Sequence, residues 1–271
     1  MSNINIDSIL QRSLSKANKQ INTSLERLAT GLKINNAGDD AAGLALSTGM
    51  NTRIRGLNQA NSNIQTGINV LSIAGDSLNS ISSSLQKLKD LSVQAANGLY
   101  SDSERAVLQA EADQIIEHIK QTKDSTKFND IKLFGDSTSQ SAEIVLQIGD
   151  STESSSSITL DTSLDITDIS VDLSSGEASR ESIDKIEALL GEVNDKIAYV
   201  GANSNILESI VESNEIKIEN LSDAKSIIMD TDIAKETSNL VHNQILADAT
   251  TALMTQNSNN EYQLMRILIG F

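Results

Sequence analysis

The feature of this 271-residue chain that most limits its fold is a strict alternation of three- and four-residue steps between apolar or small side chains. The series begins at Leu57 and ends at Leu99, and Gly67 and Ser92 are its only members that are not apolar. A mean spacing of 3.5 residues marks the face of a helix that pairs with a second helix in a left-handed coiled coil. The pattern therefore predicts one long helix packed in a bundle.

A second series of the same length runs from Ile186 to Ile228, with Ser204, Asn214 and Lys225 as its polar members. Two seams of equal length, one on each side of a central segment, predict antiparallel partners in one bundle. A polar seam residue such as Asn214 fixes the register of such a pair at some cost in stability.

The composition supports a mainly α-helical fold. Proline is absent, so no residue of that type interrupts a helix, and aromatic residues make up only 2% of the chain. Cysteine is also absent, which excludes disulfides and thiolate metal sites. We predict a long antiparallel helical bundle or coiled coil, built by the N- and C-terminal regions of the chain.

The central segment has a different period. Apolar residues alternate with polar ones around Leu146 and again from Ile158 to Ile166, and the polar residues 150–157 lie between the two runs. This pattern predicts the strands and turn of a small β-hairpin. The alternation changes phase at Ile169, Val171 and Leu173, which predicts a bulge or a second turn there.

The two ends of the chain carry looser amphipathic patterns. The N-terminal stripe has a mean step of about 3.7 residues, which predicts a nearly straight helix, and the C-terminal block from Ile233 ends in the apolar run YQLMRILIGF. We expect the first and last helices to meet as a second pair. Ordering some 30 backbones costs more free energy than the burial of seven apolar side chains returns. The terminal arms should therefore fold on association, and surfaces that do not close would produce a filament.

The chemistry of the side chains predicts neither an enzyme nor a cofactor or metal site. His118 and His242 have no second ligand at metal spacing, and no glycine-rich phosphate loop is present. The paired acids Asp39 and Asp40 precede a helical run, where carboxylates cap the first turn. A net charge of -16 opposes binding to nucleic acid or to an anionic membrane. We also expect no transmembrane helix and no cleavable secretion signal.

Two long runs of residues carry a resemblance to a known family. Residues 25–47 read LERLATGLKINNAGDDAAGLALS, and residues 221–260 read LSDAKSIIMDTDIAKETSNLVHNQILADATTALMTQNSNN. Together with residues 53–98 they resemble the terminal regions of bacterial flagellins. The resemblance implies a structural subunit of the extracellular flagellar filament, in a minimal form without large outer domains. It implies a filament core formed by 1–42 with 231–271, a helical rod at 43–230 and a reduced variable region at 136–176.

The resemblance also implies partners. A flagellin polymerises with itself, contacts hook-associated and cap proteins, and leaves the cell through the flagellar export apparatus without a cleavable signal peptide. An export chaperone would hold residues 240–271, although the C-terminal run departs from the usual family ending. A host Toll-like receptor would contact the segment QKLKDLSVQ, and Lys87 stands where family members usually have arginine. We expect this substitution to weaken recognition, because lysine lacks the planar fork of arginine.

The candidate residues fall into four groups. The filament-core candidates are Leu10, Leu14, Ile21, Leu25, Leu28, Leu32, Val241, Ile245 and Leu253. The receptor candidates are Gln86, Lys87, Leu91, Gln94 and Glu111. Asp39 and Asp40 are assigned to the spoke that joins core and rod. Candidates for O-linked sugars are Ser154, Ser155, Ser156, Ser157 and Thr159.

Two other protein classes share parts of the pattern. A hook-filament junction protein has the same terminal helices but caps a filament, whereas a flagellin extends it. A scaffolding coiled coil would form a closed dimer with ordered ends. Growth of long filaments from purified chain at raised salt would distinguish a flagellin from both.

Overall fold

The chain is almost entirely helical in the computed structural model, which describes residues 6–135, 143–151, 153, 156–164 and 169–270. The five helices are α1 (Ile6–Thr30), α2 (Ala41–Ala95), α3 (Asp102–Ser125), α4 (Gly176–Met229) and α5 (Ile233–Ile269). The mainly α fold predicted from the spacing is confirmed. In the described part of the chain, no helix is long and apolar enough to cross a membrane.

The helices α2 and α4 are antiparallel partners, as the two equal heptad series predict. Near one end of the pair, the Asn214 side-chain amide donates to the Asn61 side-chain oxygen at 3.0 Å. Further along, Lys89 Nζ lies 2.8 Å from Glu187 Oε1. Residue numbers rise along α2 while they fall along α4, so the two helices run in opposite directions.

The seam on α2 is buried at every predicted position from Leu57 to Ala95. The assignment of Leu99 to the buried seam is wrong. Helix α2 ends at Ala95, and Leu99 lies in the following turn with 89% of its surface exposed. The guanidinium of Arg105, on α3, donates to the carbonyl oxygens of Ala95 and Asn97. These bonds satisfy carbonyl groups that the end of α2 leaves without a helical partner.

The start of α3 has a capping box. The side chain of Ser101 accepts from the backbone N–H of Glu104, and Glu104 Oε2 accepts from the backbone N–H of Ser101 at 2.8 Å. Two backbone donors at the helix start are therefore satisfied reciprocally.

The predicted hairpin is formed by β3 (Glu143–Gln147) and β4 (Ser157–Asp161), which pair antiparallel with Leu146 opposite Ile158. A Cβ atom at Gly67 would lie 2.3 Å from Leu146 Cδ1, so glycine allows the hairpin to approach α2 closely. The predicted second strand is too long. It ends at Asp161, before Leu164, and Ile166 lies outside the described residues.

A second, shorter hairpin was not predicted from the sequence. It consists of β1 (Lys127–Phe128) and β2 (Ile131–Lys132). Its turn residues Asn129 and Asp130 have φ values of 48° and 66°, the left-handed conformation of a two-residue hairpin turn. Asparagine and aspartate tolerate this conformation better than other residues with side chains.

The segment around Val171 contains no strand, so the predicted strand bulge is wrong. The side chains of Ile169, Val171 and Leu173 are buried, one at every second position. The backbone groups of Val171 and Leu173, however, bond to a side chain and not to another strand. Gln109 on α3 donates to the carbonyl of Val171 at 2.9 Å and accepts from the backbone N–H of Leu173 at 2.7 Å. The amide of Gln109 thus forms the hydrogen bonds that a neighbouring strand would otherwise form with Val171 and Leu173.

The chain divides into two compact units. The terminal unit comprises Met1–Ile54 with Glu219–Phe271, and the central unit comprises Arg55–Ile218. The core of the central unit is one cluster of buried apolar side chains from α2, α3, α4 and the β3–β4 hairpin. The sequence-based division at residues 42 and 231 refers to core and rod in a filament, and it stays a prediction.

Candidate assembly site

The candidate assembly site is the helix pair α1–α5, the principal contact between helices in the terminal unit. The least exposed positions on each helix repeat with alternating steps of three and four residues. On α1 these positions are Asp7, Leu10, Leu14, Ala17, Ile21, Ser24 and Leu28. On α5 they are Glu236, Leu240, Asn243, Ala247, Thr250, Met254 and Asn257. The contact between the two helices is therefore a heptad seam.

This seam corrects the predicted stripe on α1. Leu25 is 49% exposed, and Ser24 occupies the buried position beside it. Leu32 lies beyond the end of α1 and forms an isolated bridge with Asp230. With Ser24 in place of Leu25, and with the seam running from Asp7 to Leu28, the steps average 3.5, not 3.7, which is the spacing of a left-handed coiled coil.

Polar contacts hold the seam in one register. Ser24 Oγ donates to Glu236 Oε1 at 2.6 Å, and Glu236 is only 8% exposed. Arg27 Nη1 lies 3.8 Å from the other carboxylate oxygen, Glu236 Oε2. Near the other end of the pair, Asn257 Nδ2 donates to Asp7 Oδ1 at 2.9 Å. A buried carboxylate with specific donors disfavours other alignments of the two helices.

The apolar spacing did not predict these polar residues, although the sequence contains a signal for them. Polar side chains recur every seven residues along α5, at Glu236, Asn243, Thr250 and Asn257. In a pattern of apolar residues alone, these four polar positions are interruptions. A search for any heptad repeat would have found them.

The rest of the α5 surface is rich in apolar side chains that nothing in the described chain covers. Ile245 is 62% exposed, and Val241 and Leu253 are also exposed. At about 100° per residue, Val241 and Ile245 lie on the side of α5 opposite the seam. A helix with apolar residues on all its sides is normally enclosed by neighbours.

The loop between α1 and α2 contains the two candidate spoke residues. The backbone N–H groups of Asn36 and Asn35 donate to Asp39 Oδ2 at 3.0 and 3.1 Å, and they hold the pKa of this carboxyl below its ordinary value. Asp40 Oδ1 accepts from the backbone N–H of Gly43 at 2.9 Å in the first turn of α2. Asp39 therefore binds backbone groups of its own loop, and Asp40 binds the first turn of α2.

The same loop is tied to the segment between α4 and α5. The backbone N–H of Lys33 donates to the carbonyl of Met229 at 2.6 Å, and that of Thr231 donates to the carbonyl of Gly31 at 2.9 Å. Gly31 has a φ of 71°, which lets the chain turn immediately after α1. The two connections of the terminal unit are thus joined by backbone hydrogen bonds.

The receptor candidates lie on two helices of the central unit. Gln86, Lys87 and Gln94 are exposed on α2, Leu91 is half-buried there, and Glu111 is exposed on α3. Gln94 Nε2 donates to the hydroxyl of Tyr100 at 2.9 Å, which ties this side chain to the α2–α3 turn.

The candidates for O-linked sugars differ in accessibility. Thr159 is exposed on β4 and Ser157 is half-buried. Ser156 is buried, and its hydroxyl lies 2.6 Å from that of Ser151. Ser154 and Ser155 lie outside the described residues. Among the described candidates, Thr159 is the most accessible hydroxyl.

Comparison with known proteins decides the family. Residues 1–139 match the bacterial flagellin N-terminal helical region, and residues 183–268 match the bacterial flagellin C-terminal helical region. The chain belongs to the flagellin family. Flagellins are structural proteins.

Individual relatives extend the match over nearly the whole chain. A flagellin from Halalkalibacterium halodurans is 36% identical over 90% of each chain. A flagellin from Listeria innocua is 31% identical over 99% of each chain. A crystal structure of Bacillus cereus flagellin aligns with a TM-score of 0.50 at 24% identity, over 56% of this chain and 88% of that one, and supports the fold alone. The full-length matches confirm a flagellin without a large outer domain.

Proposed function

We propose that this chain polymerises into the filament of a bacterial flagellum and that the α1–α5 pair forms the filament core. The observation that carries the proposal is the set of exposed apolar side chains on α5 that lie outside the seam covered by α1. Copies that pack side by side would cover these side chains. Contacts of this kind repeat without closing when one surface binds a different surface on the next copy.

The free energy available from this burial is moderate. Covering a large apolar side chain completely yields about 1.5 to 3 kcal/mol, and the exposed residues of α5 are already partly covered. Val241, Ile245 and Leu253 would each contribute about 1 kcal/mol in a filament. A single contact of this size does not hold two chains together, but repetition over several neighbours does.

The test is filament growth from purified chain at raised salt, with electron microscopy and the critical concentration as readouts. Ile245→Ser should raise the critical concentration about tenfold, the equivalent of about 1.4 kcal/mol. The matched control Val107→Ser removes an equally exposed apolar side chain from α3 in the central unit. Equal effects of the two substitutions would contradict a core formed by α5. A chain that blocks the growth of added filaments would instead be a junction protein.

The proposal of further partners besides the chain itself is based on its membership of the flagellin family. In this proposal, hook-associated and cap proteins contact the filament ends, and the chain reaches the cell exterior through the flagellar export apparatus without a cleavable signal peptide. An export chaperone would bind within residues 240–271, where α5 exposes its apolar side chains. Pull-down of the chaperone by the complete chain, and loss of binding in Leu253→Ser, would support this. Unchanged binding would place the chaperone contact elsewhere.

Recognition by a host Toll-like receptor would be weak. Lys87 is exposed on α2, and its single ammonium replaces the bidentate fork of an arginine. Lys87→Arg should increase the response of a receptor reporter assay several-fold, whereas Lys120→Arg on α3 should leave it unchanged. A response of the unmodified chain equal to that of Lys87→Arg would contradict the proposal.

A further inference from the structure

We propose that a basic stripe on α1 docks on an acidic stripe on α4 of a second copy of the chain and helps to set the filament lattice. The basic stripe consists of Arg12, Lys16 and Lys19, and the acidic stripe consists of Glu208, Glu212 and Glu215. The inference rests on the proposed function, because it concerns a contact between copies.

The basic stripe lies away from the α1–α5 seam. Its three residues follow steps of four and three, so they share one side of α1, about 130° around the helix from Ala17 in the seam. All three are exposed. Arg12 donates to the carbonyl of Ser8 at 3.0 Å, but within the described residues none of the three cations has an acidic partner. Like charges at these spacings repel each other and weaken an isolated helix.

The acidic stripe has the same construction with the opposite sign. Glu208, Glu212 and Glu215 follow steps of four and three on α4, and all three are exposed. None of them forms an ion pair in the part of the chain that the structure describes. They face solvent because the neighbouring positions Leu207 and Asn214 point into the core of the central unit. This helix too carries repulsion that nothing in the described chain relieves.

The two stripes match in length as well as in sign. In each stripe the first and last charges are seven positions apart, or about 10.5 Å along the helix. Three ion pairs could therefore form together if the two helices lay side by side. Charged rows of this kind select partners and orientation in helical assemblies.

The distribution of charge favours a second copy as the occupant. The terminal unit contains 11 acidic and 9 basic residues, for a net charge of -2, whereas the central unit contains 26 and 12, for -14. Packing of many copies brings acidic central units together, and their repulsion opposes assembly. A basic surface that docks on the acidic unit of a neighbour offsets this repulsion at each contact.

The test uses two charge-reversed chains. One has Arg12→Glu, Lys16→Glu and Lys19→Glu, and the other has Glu208→Lys, Glu212→Lys and Glu215→Lys. Each alone should raise the critical concentration for filament growth about tenfold or more. An equal mixture of the two should restore growth, because copies of the two variants that alternate along the contact pair each reversed α1 with a reversed α4. A contact within one copy would not be restored by mixing.

A matched control separates docking from net charge. Lys120→Glu, Lys127→Glu and Arg180→Glu change the net charge as much as the first variant does, at exposed positions of the central unit. This control increases the repulsion between central units but leaves the basic stripe intact, so its critical concentration should rise clearly less than that of the first variant. Far-UV circular dichroism should show equal helix content in all variants, so that a folding defect is recognised.

Three results would overturn the inference. They are normal growth of the chain with the reversed α1 stripe, equal failure of the control, or no growth of the mixture. Binding of the monomer to phosphatidylglycerol vesicles that is lost on reversal, with filament growth unchanged, would assign the basic stripe to an anionic membrane. If the unmodified chain forms no filaments, the proposed function itself fails, and this outcome is distinct from the other three.

Discussion

The α2–α4 seam and the α1–α5 seam follow the same heptad rule but differ in what they bury. The predicted α2 seam is fully buried from Leu57 to Ala95, and most of its residues are large and apolar. On α1, the leucines of the seam are half-buried, and the fully buried members are Ala17 and Ser24. Spacing alone therefore determines which side of a helix is covered, while side-chain size and polarity determine whether that contact is stable in a single copy.

The two seams therefore differ in function: the α2–α4 seam contributes mainly stability, and the α1–α5 seam contributes mainly alignment. A seam that buries large apolar side chains stabilises the central unit without help. A seam with small and polar buried residues gains little from burial and mainly selects one alignment. The terminal unit would then depend on neighbouring copies for the rest of its stability.

The largest expected effect comes from truncating the apolar seam. Leu85→Ala removes a side chain with 0% exposure from α2 and should lower the free energy of unfolding by about 3 kcal/mol. Leu14→Ala in the α1 seam, where the side chain is only half-buried, should cost about 1 kcal/mol in the monomer. Urea unfolding followed by circular dichroism measures both. Equal losses would remove the distinction between the two seams.

The buried asparagines of the two units should differ by a smaller amount. Asn214 donates to Asn61 and to the carbonyl of Ile148, so Asn214→Ala leaves two half-buried acceptors without this partner and should cost about 2 kcal/mol. Asn243 donates only to the carbonyl of Asn239 on its own helix. Asn243→Ala should cost about 1 kcal/mol or less. A greater loss at Asn243 would show that the terminal seam depends on its polar residues for stability.

Two glycines sharpen the description of the central unit. Gly191→Ala on α4 adds a methyl group with nothing within 4 Å and should stabilise the chain by about 1 kcal/mol, through helix propensity. The same change at Gly67 forces Leu146 of the hairpin to move, so the gain should be cancelled or reversed. Thermal unfolding of the two variants compares them directly. Equal stabilisation would mean that the hairpin does not rest on α2.

The smallest effect concerns the loop beside the terminal seam. The N–H groups of Asn36 and Asn35 lower the pKa of Asp39, so the ionised carboxylate stabilises the folded loop. This contribution is complete above the unfolded pKa of about 3.9 and is lost as the pH falls through the lower folded value. NMR titration of the two amide protons should give a midpoint below that ordinary value. Asp39→Asn should abolish the titration, whereas a midpoint at or above the ordinary value would contradict the assignment.

The sequence predicted the parts of the fold in which one interaction dominates. Large apolar residues at 3.5-residue spacing admit one buried side, so the predicted buried positions on α2 were right as far as Ala95. Ser24 and Glu236 were missed because their burial depends on a hydrogen bond between residues 212 positions apart. The short β1–β2 hairpin was missed because strands of two residues have no period to detect. In the candidate site, Leu25 was misplaced because hydrophobicity alone does not exclude a leucine next to a seam.

The contact between Ser24 and Glu236 fixes the register of α1 along α5. A shift of α1 along α5 by one heptad, about 10.5 Å, would bring Ala17 or Gly31 to the place of Ser24 and leave the buried carboxylate without that hydroxyl donor. The helix pair therefore has the same overall length in every correctly folded copy. A regular polymer requires identical subunits, and the Ser24–Glu236 contact, together with Asn257–Asp7, gives each copy the same alignment of α1 on α5.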